Sequence, residues 1–244
     1  MRNIGLRIEY DGTNYCGWQI QKGHTSIQEI ITNALSKITG HKITLYSAGR
    51  TDSGVHAEGQ VANFLTTSLL SVGKFVKALN HHLPKDIVVR NAREMPKSFN
   101  ARYRATGKLY RYTILNSPIP TALNRNYCYY YPYKINLNLI KKAAKCLVGT
   151  HNFRAFASKA ALKKSCVRTL SFIRISRKGR YVYINIQGNG FLYNMVRTIV
   201  GTLLWVNQGK MSPRDIAEIL NSQERRKAGP TIAAKGLCMV KVLY

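Results

Sequence analysis

The spacing of apolar residues changes repeatedly along this chain, and the order of those changes limits what it can fold into. Ile4, Leu6 and Ile8 fall at every second position, so residues 3–10 read as a strand with one buried face. After a "DGTN" turn, Ile27, Ile30, Ile31, Ala34, Leu35 and Ile38 recur at helical spacing, with Thr25 or Ser26 as the N-cap. "KITLYSA" and "QVANFLTT" return to strand patterning, "SVGKFVKALNHHL" reads as a helix stopped before Pro84, and "DIVVRNARE" as a strand. The second half repeats that order. "KLYRYTILN" is a strand, "NLNLIKKAAKCLVG" a helix stopped by Gly149, and residues 167–190 a hairpin turning near Gly179. Residues 191–207 read as a buried helix, "SPRDIAEILNS" as a short capped helix and "GLCMVKVLY" as a final strand. The reading is an α+β protein of two similar halves, related as an internal structural repeat, with a join between residues 101 and 108. The domains are placed at residues 1–104 and 105–244.

Charge narrows the partner. The chain has 38 Lys and Arg against 10 Asp and Glu, a formal net charge of +28 over 244 residues. A surface that basic repels itself, and a polyanion is the usual reason to keep it; nucleic acid comes first and an anionic membrane surface second. A membrane span is not indicated, because the longest apolar run, residues 191–206, is short and interrupted by Asn194 and Arg197. The N-terminus alternates like a strand and lacks the apolar core of a signal peptide. Five widely spaced cysteines without a CxxC indicate reduced thiols in a cytoplasmic protein.

Against that background the stretch "SAGRTDSGVHAEGQ", residues 47–60, is unusual. It places one of the scarce carboxylates, Asp52, two positions after Arg50 in a loop bounded by Gly49 and Gly54. In extended chain, residues two apart point the same way, so both could face one cleft. A neighbouring guanidinium keeps a carboxylate ionised, and an oriented carboxylate can serve as nucleophile or general base. The same "TDSG" is also a good turn or cap sequence. "HAE" at residues 56–58 matches half of a zinc deaminase signature, but the P-C-x-x-C half is missing and His24, His41 and His151 have no ligand spacing. A metal-independent mechanism is therefore favoured.

These residues carry a resemblance. "AGRTDSGVHAEGQVANF" resembles the signature of the tRNA pseudouridine synthase A family. The likeness continues in order through "CGWQIQKGHTSIQEII", "FNARYRATGKLYRYTILN", "GTHNFRAFAS", "GFLYNMVRTIVGTLL" and "AGPTIAAKGLCMVKVLY", and so covers nearly the whole chain. It departs at Ser53, where the family often has alanine, and at Ile232 and Ala233, where the family often has Ala-Pro. The resemblance implies a pseudouridine synthase fold, with two halves meeting at a basic central cleft. It implies an isomerase that converts uridine to pseudouridine on the 3′ side of the anticodon stem of transfer RNA. It also implies a homodimer without cofactor or metal. By position in those motifs, Asp52 is the catalytic aspartate and Arg197 its buried partner. Tyr110 is the aromatic that packs on the uracil, Arg50 fills the space left by the flipped nucleotide, and Leu237 is an apolar wall.

The residues admit other readings when taken alone. Tyr110 alternates with Tyr112 and could be an ordinary strand aromatic. Arg197 lies in an otherwise apolar helix, where a lone buried guanidinium is costly; it either finds a partner such as Asp52 or snorkels to water. Gly201, one turn on, leaves room for close approach. "RATGKLYRY", "KKAAK", "KAALKKSCVR" and "QERRKAG" are candidate contributors to phosphate contacts. A rival to the enzyme is an inert RNA-binding protein of the same architecture, and a further one is a small-molecule enzyme whose charge is incidental.

Overall fold

A computed structural model describes residues 1–158 and 165–244. All three lysines of "KAALKKSCVR" thereby lie outside the described residues. In chain order the strands and helices are β1 (Arg2–Tyr10), α1 (Ile27–Thr39), β2 (Tyr46–Ser47), β3 (His56–Thr66), α2 (Val72–His82) and β4 (Ile87–Met95). There follow β5 (Gly107–Asn116), β6 (Tyr129–Tyr131), α3 (Leu137–Lys145), β7 (Gly149–Asn152), β8 (Val167–Lys178) and β9 (Tyr181–Gly188). The chain closes with α4 (Met195–Asn207), α5 (Asp215–Ser222) and β10 (Leu237–Leu243). It divides into two compact units: Met1–Thr106 with Cys238–Tyr244, and Gly107–Leu237.

In the first unit the strands lie in the order β4, β1, β3, β10. β1 is antiparallel to both β3 and β4, and β2 adds to β3. β10 runs parallel to β3, with Cys238 beside His56 and Met239 beside Ala57. The last strand, which follows the second unit in sequence, thus completes the sheet of the first. Period-two patterning puts Ile4, Leu6, Ile8, Ala62 and Phe64 on one face, all but fully buried with Ile27, Ile31 and Leu35 of α1 and Phe75 and Leu79 of α2. Phe64 meets Phe75 edge-on at 5.6 Å. Each such side chain contributes about 1.5–3 kcal/mol by leaving water. Ser26 is the N-cap of α1, its Oγ accepting from the Glu29 N–H, and Gly40 ends the helix at φ 72°.

The second unit orders its strands β5, β9, β8, β7, all antiparallel, with β6 parallel to β5. β8 and β9 turn at Gly179, φ 56°. One sheet face sends Tyr112, Ile114, Ile184 and Ile186 into a core shared with α3 and α4.

Three elements differ from the sequence reading. The helix read as stopped by Gly149 ends at Lys145, with Cys146 as its C-cap, and Gly149 instead opens β7. Only Tyr46 and Ser47 of "KITLYSA" pair with β3; Ile43 and Leu45 are buried without joining the ladder, and the Leu45 carbonyl accepts from Gln28 Nε2 instead. The helix read from residue 191 begins at Met195, because Asn194 takes a left-handed φ of 65° and turns the chain before it. In α4, Gly201 meets the segment that runs through Pro230, and a Cβ there would strike the Pro230 carbonyl oxygen. Gly201→Ala is therefore expected to cost about 1–3 kcal/mol by overpacking, and Gly201→Val more, measured by urea denaturation.

Candidate active site

The residues singled out in the sequence divide between the units, with Arg50 and Asp52 in the first and Tyr110, Arg197 and Leu237 in the second.

In the first unit the loop between β2 and β3 is held by its middle. Thr51 turns inward, 6% exposed, and its hydroxyl shares a 2.7 Å hydrogen bond with the Tyr10 hydroxyl at the end of β1. Its carbonyl accepts from the Trp18 N–H at 3.0 Å. With Thr51 facing in, its neighbours face out: Arg50 is exposed and Asp52 half-buried. Both flanks are tied. Gln60 Nε2 donates to the Gly49 carbonyl at 2.8 Å, and the Val55 N–H donates to the Asp52 carbonyl at 3.1 Å. The departure at Ser53 is accommodated, since its hydroxyl donates to the Tyr15 carbonyl at 3.2 Å. Gly17, at φ 103°, brings its backbone so near that a Cβ would strike the Thr51 carbonyl oxygen. Burial pushes the Tyr10 hydroxyl well above its usual range, which keeps it neutral.

Sequence reasoning missed this support. Tyr10 and Gln60 read as ordinary strand residues. His56, weighed only as half of a zinc signature, is buried at the start of β3. Its Nδ1 lies 3.0 Å from Asp11 Oδ1 and 3.1 Å from the Gly12 nitrogen, which fastens the end of β1 to the start of β3. Among the described residues no three His, Cys, Asp or Glu side chains are grouped to hold a metal ion.

In the second unit Tyr110 and Tyr112 share the buried face of β5. Tyr112 is fully buried and donates its hydroxyl to the Ala233 carbonyl at 2.7 Å. Burial holds that hydroxyl protonated, although the Arg197 charge pulls weakly the other way. Tyr110 is 6% exposed and meets Phe191 edge-on, ring centres 5.1 Å apart. Phe191 can do this because it lies in the turn before α4 rather than inside a helix.

Arg197 is half-buried and clamped. Its Nε donates to the Ile232 carbonyl at 2.7 Å, and an Nη donates to Asn194 Oδ1 at 2.9 Å. Asn194 in turn donates to Ser158 Oγ at 2.6 Å. The segment where proline is missing is thereby anchored twice, by Arg197 on Ile232 and by Tyr112 on Ala233. It is also fastened upstream, where the Gly229 N–H donates to Thr202 Oγ1 at 2.9 Å and Arg225 donates to the Gly229 carbonyl at 2.9 Å. Leu237, 5% exposed, follows directly and opens β10.

Thr51→Val keeps the shape of the loop's inward residue and removes its hydroxyl. It should lower stability by about 1–3 kcal/mol, because the buried Tyr10 hydroxyl loses a partner, and Thr51→Ser should restore most of it in urea denaturation.

Comparison with known proteins finds relatives along the whole chain. The family model described as tRNA pseudouridine synthase matches residues 7–104 and 143–244. Proteins named tRNA pseudouridine synthase A from Acetivibrio thermocellus and Thermoanaerobacter sp. are 47% and 46% identical, with 100% of each chain covered. One named tRNA pseudouridine synthase A 2, from Clostridium perfringens, is 47% identical with the same coverage. A solved structure described as a Cbf5-Nop10-Gar1 complex is similar over 96% of this chain and 57% of its own, at a TM-score of 0.39 and 12% identity, too slight a likeness to add to the assignment. A match to the family model across most of the chain, and relatives nearly half identical from end to end, mean that this chain belongs to the tRNA pseudouridine synthase family.

Proposed function

We propose that this protein converts uridine to pseudouridine in the anticodon arm of transfer RNA, with Asp52 as the carboxylate that carries the reaction. The observation behind it is the loop in which Thr51 is bonded inward to Tyr10, leaving Arg50 and Asp52 together on the outer side. The reaction breaks the bond from N1 of the base to C1′ of the sugar, turns the base and forms a bond from C5 to C1′. The hydrogen on C5 leaves and N1 ends protonated, so atoms balance and no electrons are exchanged. A carboxylate can hold the detached intermediate by attack on the base, by attack on the sugar or by assisting elimination, and Asp52 suits each route.

A uridine within a stem is out of reach, so the nucleotide must be extruded, at a cost of about a few kcal/mol. Stacking on Tyr110 returns about 1–3 kcal/mol of that. Arg50, exposed on the loop, occupies the space the nucleotide leaves. On the resemblance of its motif, Arg197, held by Ile232 and Asn194, is the cationic partner of Asp52, and Leu237 is an apolar wall. The charge of +28 favours RNA through phosphate contacts that weaken as salt rises. No helix among the described residues is long and apolar enough to cross a membrane. Resemblance of the motifs supports the rest of the proposal, that the enzyme acts as a homodimer in the cytoplasm.

The test is release of hydrogen from C5-labelled uridine in transfer RNA, which formation of the C5–C1′ bond requires. Asp52→Ala should bind transfer RNA within about twofold of the parent and lose at least about a thousandfold in turnover; retained turnover removes Asp52 from its role. Tyr110→Ala should lose about tenfold or more in kcat/KM while Tyr110→Phe keeps the stacking face, so equal behaviour of the two counts against stacking. Arg197→Met should still fold but lose activity, and full activity would leave the arginine a structural clamp only.

A further inference from the structure

Lys108 stands on β5 two residues before Tyr110 and on the same face of the strand, about 6–7 Å along it. It is half-buried. Its neighbour across the ladder is Gly188, which pairs in turn with Leu170 on β8. Gly188 offers no side chain at that point, and a Cβ there would run into Leu170 and the Thr169 carbonyl. Beyond β9, on β8, stands Arg168, two residues before Leu170, held by bonds from an Nη to the Ser165 and Val167 carbonyls at 2.9 and 2.6 Å. Its guanidinium lies over Gly190, where a Cβ would be 3.4 Å from Nε.

Two cations thus flank a glycine, and among the described residues of the second unit no carboxylate is paired with them. The second unit contains just three carboxylate side chains, Asp215, Glu218 and Glu224. Asp215 accepts from the Ser212 N–H and hydroxyl at 2.8 Å each. Glu224 pairs with Arg226 and Lys227, and Glu218 is exposed on α5. Burial, and after it the Arg168 charge, push the Lys108 ammonium below the ordinary lysine value. A half-buried ammonium beside a second cation is an unfavourable arrangement for the free protein, and one that a bound anion relieves.

We infer that Lys108 and Arg168 together hold one backbone phosphate of the RNA strand that carries the target uridine, next to the base that packs on Tyr110. The inference rests on the function proposed above. RNA brings one phosphate per nucleotide, and the place of Lys108 on the face of Tyr110 lets a single extruded nucleotide reach both. Lysine meets the phosphate as a point charge, while the planar guanidinium of Arg168, fixed by two backbone carbonyls, adds direction. Such a contact fixes where the strand lies and leaves recognition of the base to other groups.

Lys108→Gln and Arg168→Gln test this in the full-length protein with unmodified transfer RNA. Lys108→Gln should weaken binding about tenfold and lower the slope of log K against log salt by about 0.7–0.9, the amount for one phosphate contact. KM should rise with kcat nearly unchanged, and Lys108→Arg should restore binding. The melting temperature of Lys108→Gln should stay level or rise, since an unfavourable charge has been removed; a lysine serving only the fold would lower it. Arg168→Gln should give a smaller loss in the same direction, and the double variant no more slope change than Lys108→Gln alone. An unchanged salt slope and KM in folded Lys108→Gln overturns the inference. Should the parent protein form no pseudouridine while Lys108→Gln still shows the reduced slope, the phosphate site stands and the proposed reaction falls.

Discussion

The hydrogen bond between the hydroxyls of Thr51 and Tyr10 decides which way the loop between β2 and β3 presents its side chains. With Thr51 committed to the interior, Arg50 is left exposed and Asp52 half-buried. The bond is worth more than a surface one because both residues are buried, and the Tyr10 hydroxyl is further held by Gln60. Trp18 and Gln60 hold the backbone on either side, and Gly17 permits the approach. The sheet of the first unit is thus a frame for one short loop.

The second unit supports its polar side chains by a different device. α4 is apolar nearly all round, and its one arginine is held by a backbone carbonyl and by the asparagine that starts the helix. The carbonyl comes from a segment that can lie against α4 because Gly201 has no side chain. The same segment takes the Tyr112 hydroxyl, so a core tyrosine and a half-buried arginine share one anchor. Neighbouring positions on one strand are put to different use: Tyr112 is sealed in, Tyr110 meets Phe191, and Lys108 is left beside Arg168 without a carboxylate. In a unit with so few acids, a half-buried lysine directs attention to what the substrate would supply.

The sequence by itself determined the periods of the strands and most helices, an N-cap at Thr25 or Ser26, a hairpin turn near Gly179 and the basic character of the chain. All of these follow from neighbours a few residues apart or from composition, and local sterics suffice to enforce them. It also carried the family, through motifs spread along nearly the whole chain. The tertiary structure alone decided that β10 completes the first sheet, that "KITLYSA" pairs only at its end, and that Asn194 delays α4. It alone decided that Thr51 points in and that Ile232, despite the missing proline, is fixed by Arg197. Each of these turns on a partner dozens of residues away or more, or on a backbone angle that neither period nor composition records, and such choices are settled only when the whole core packs at once.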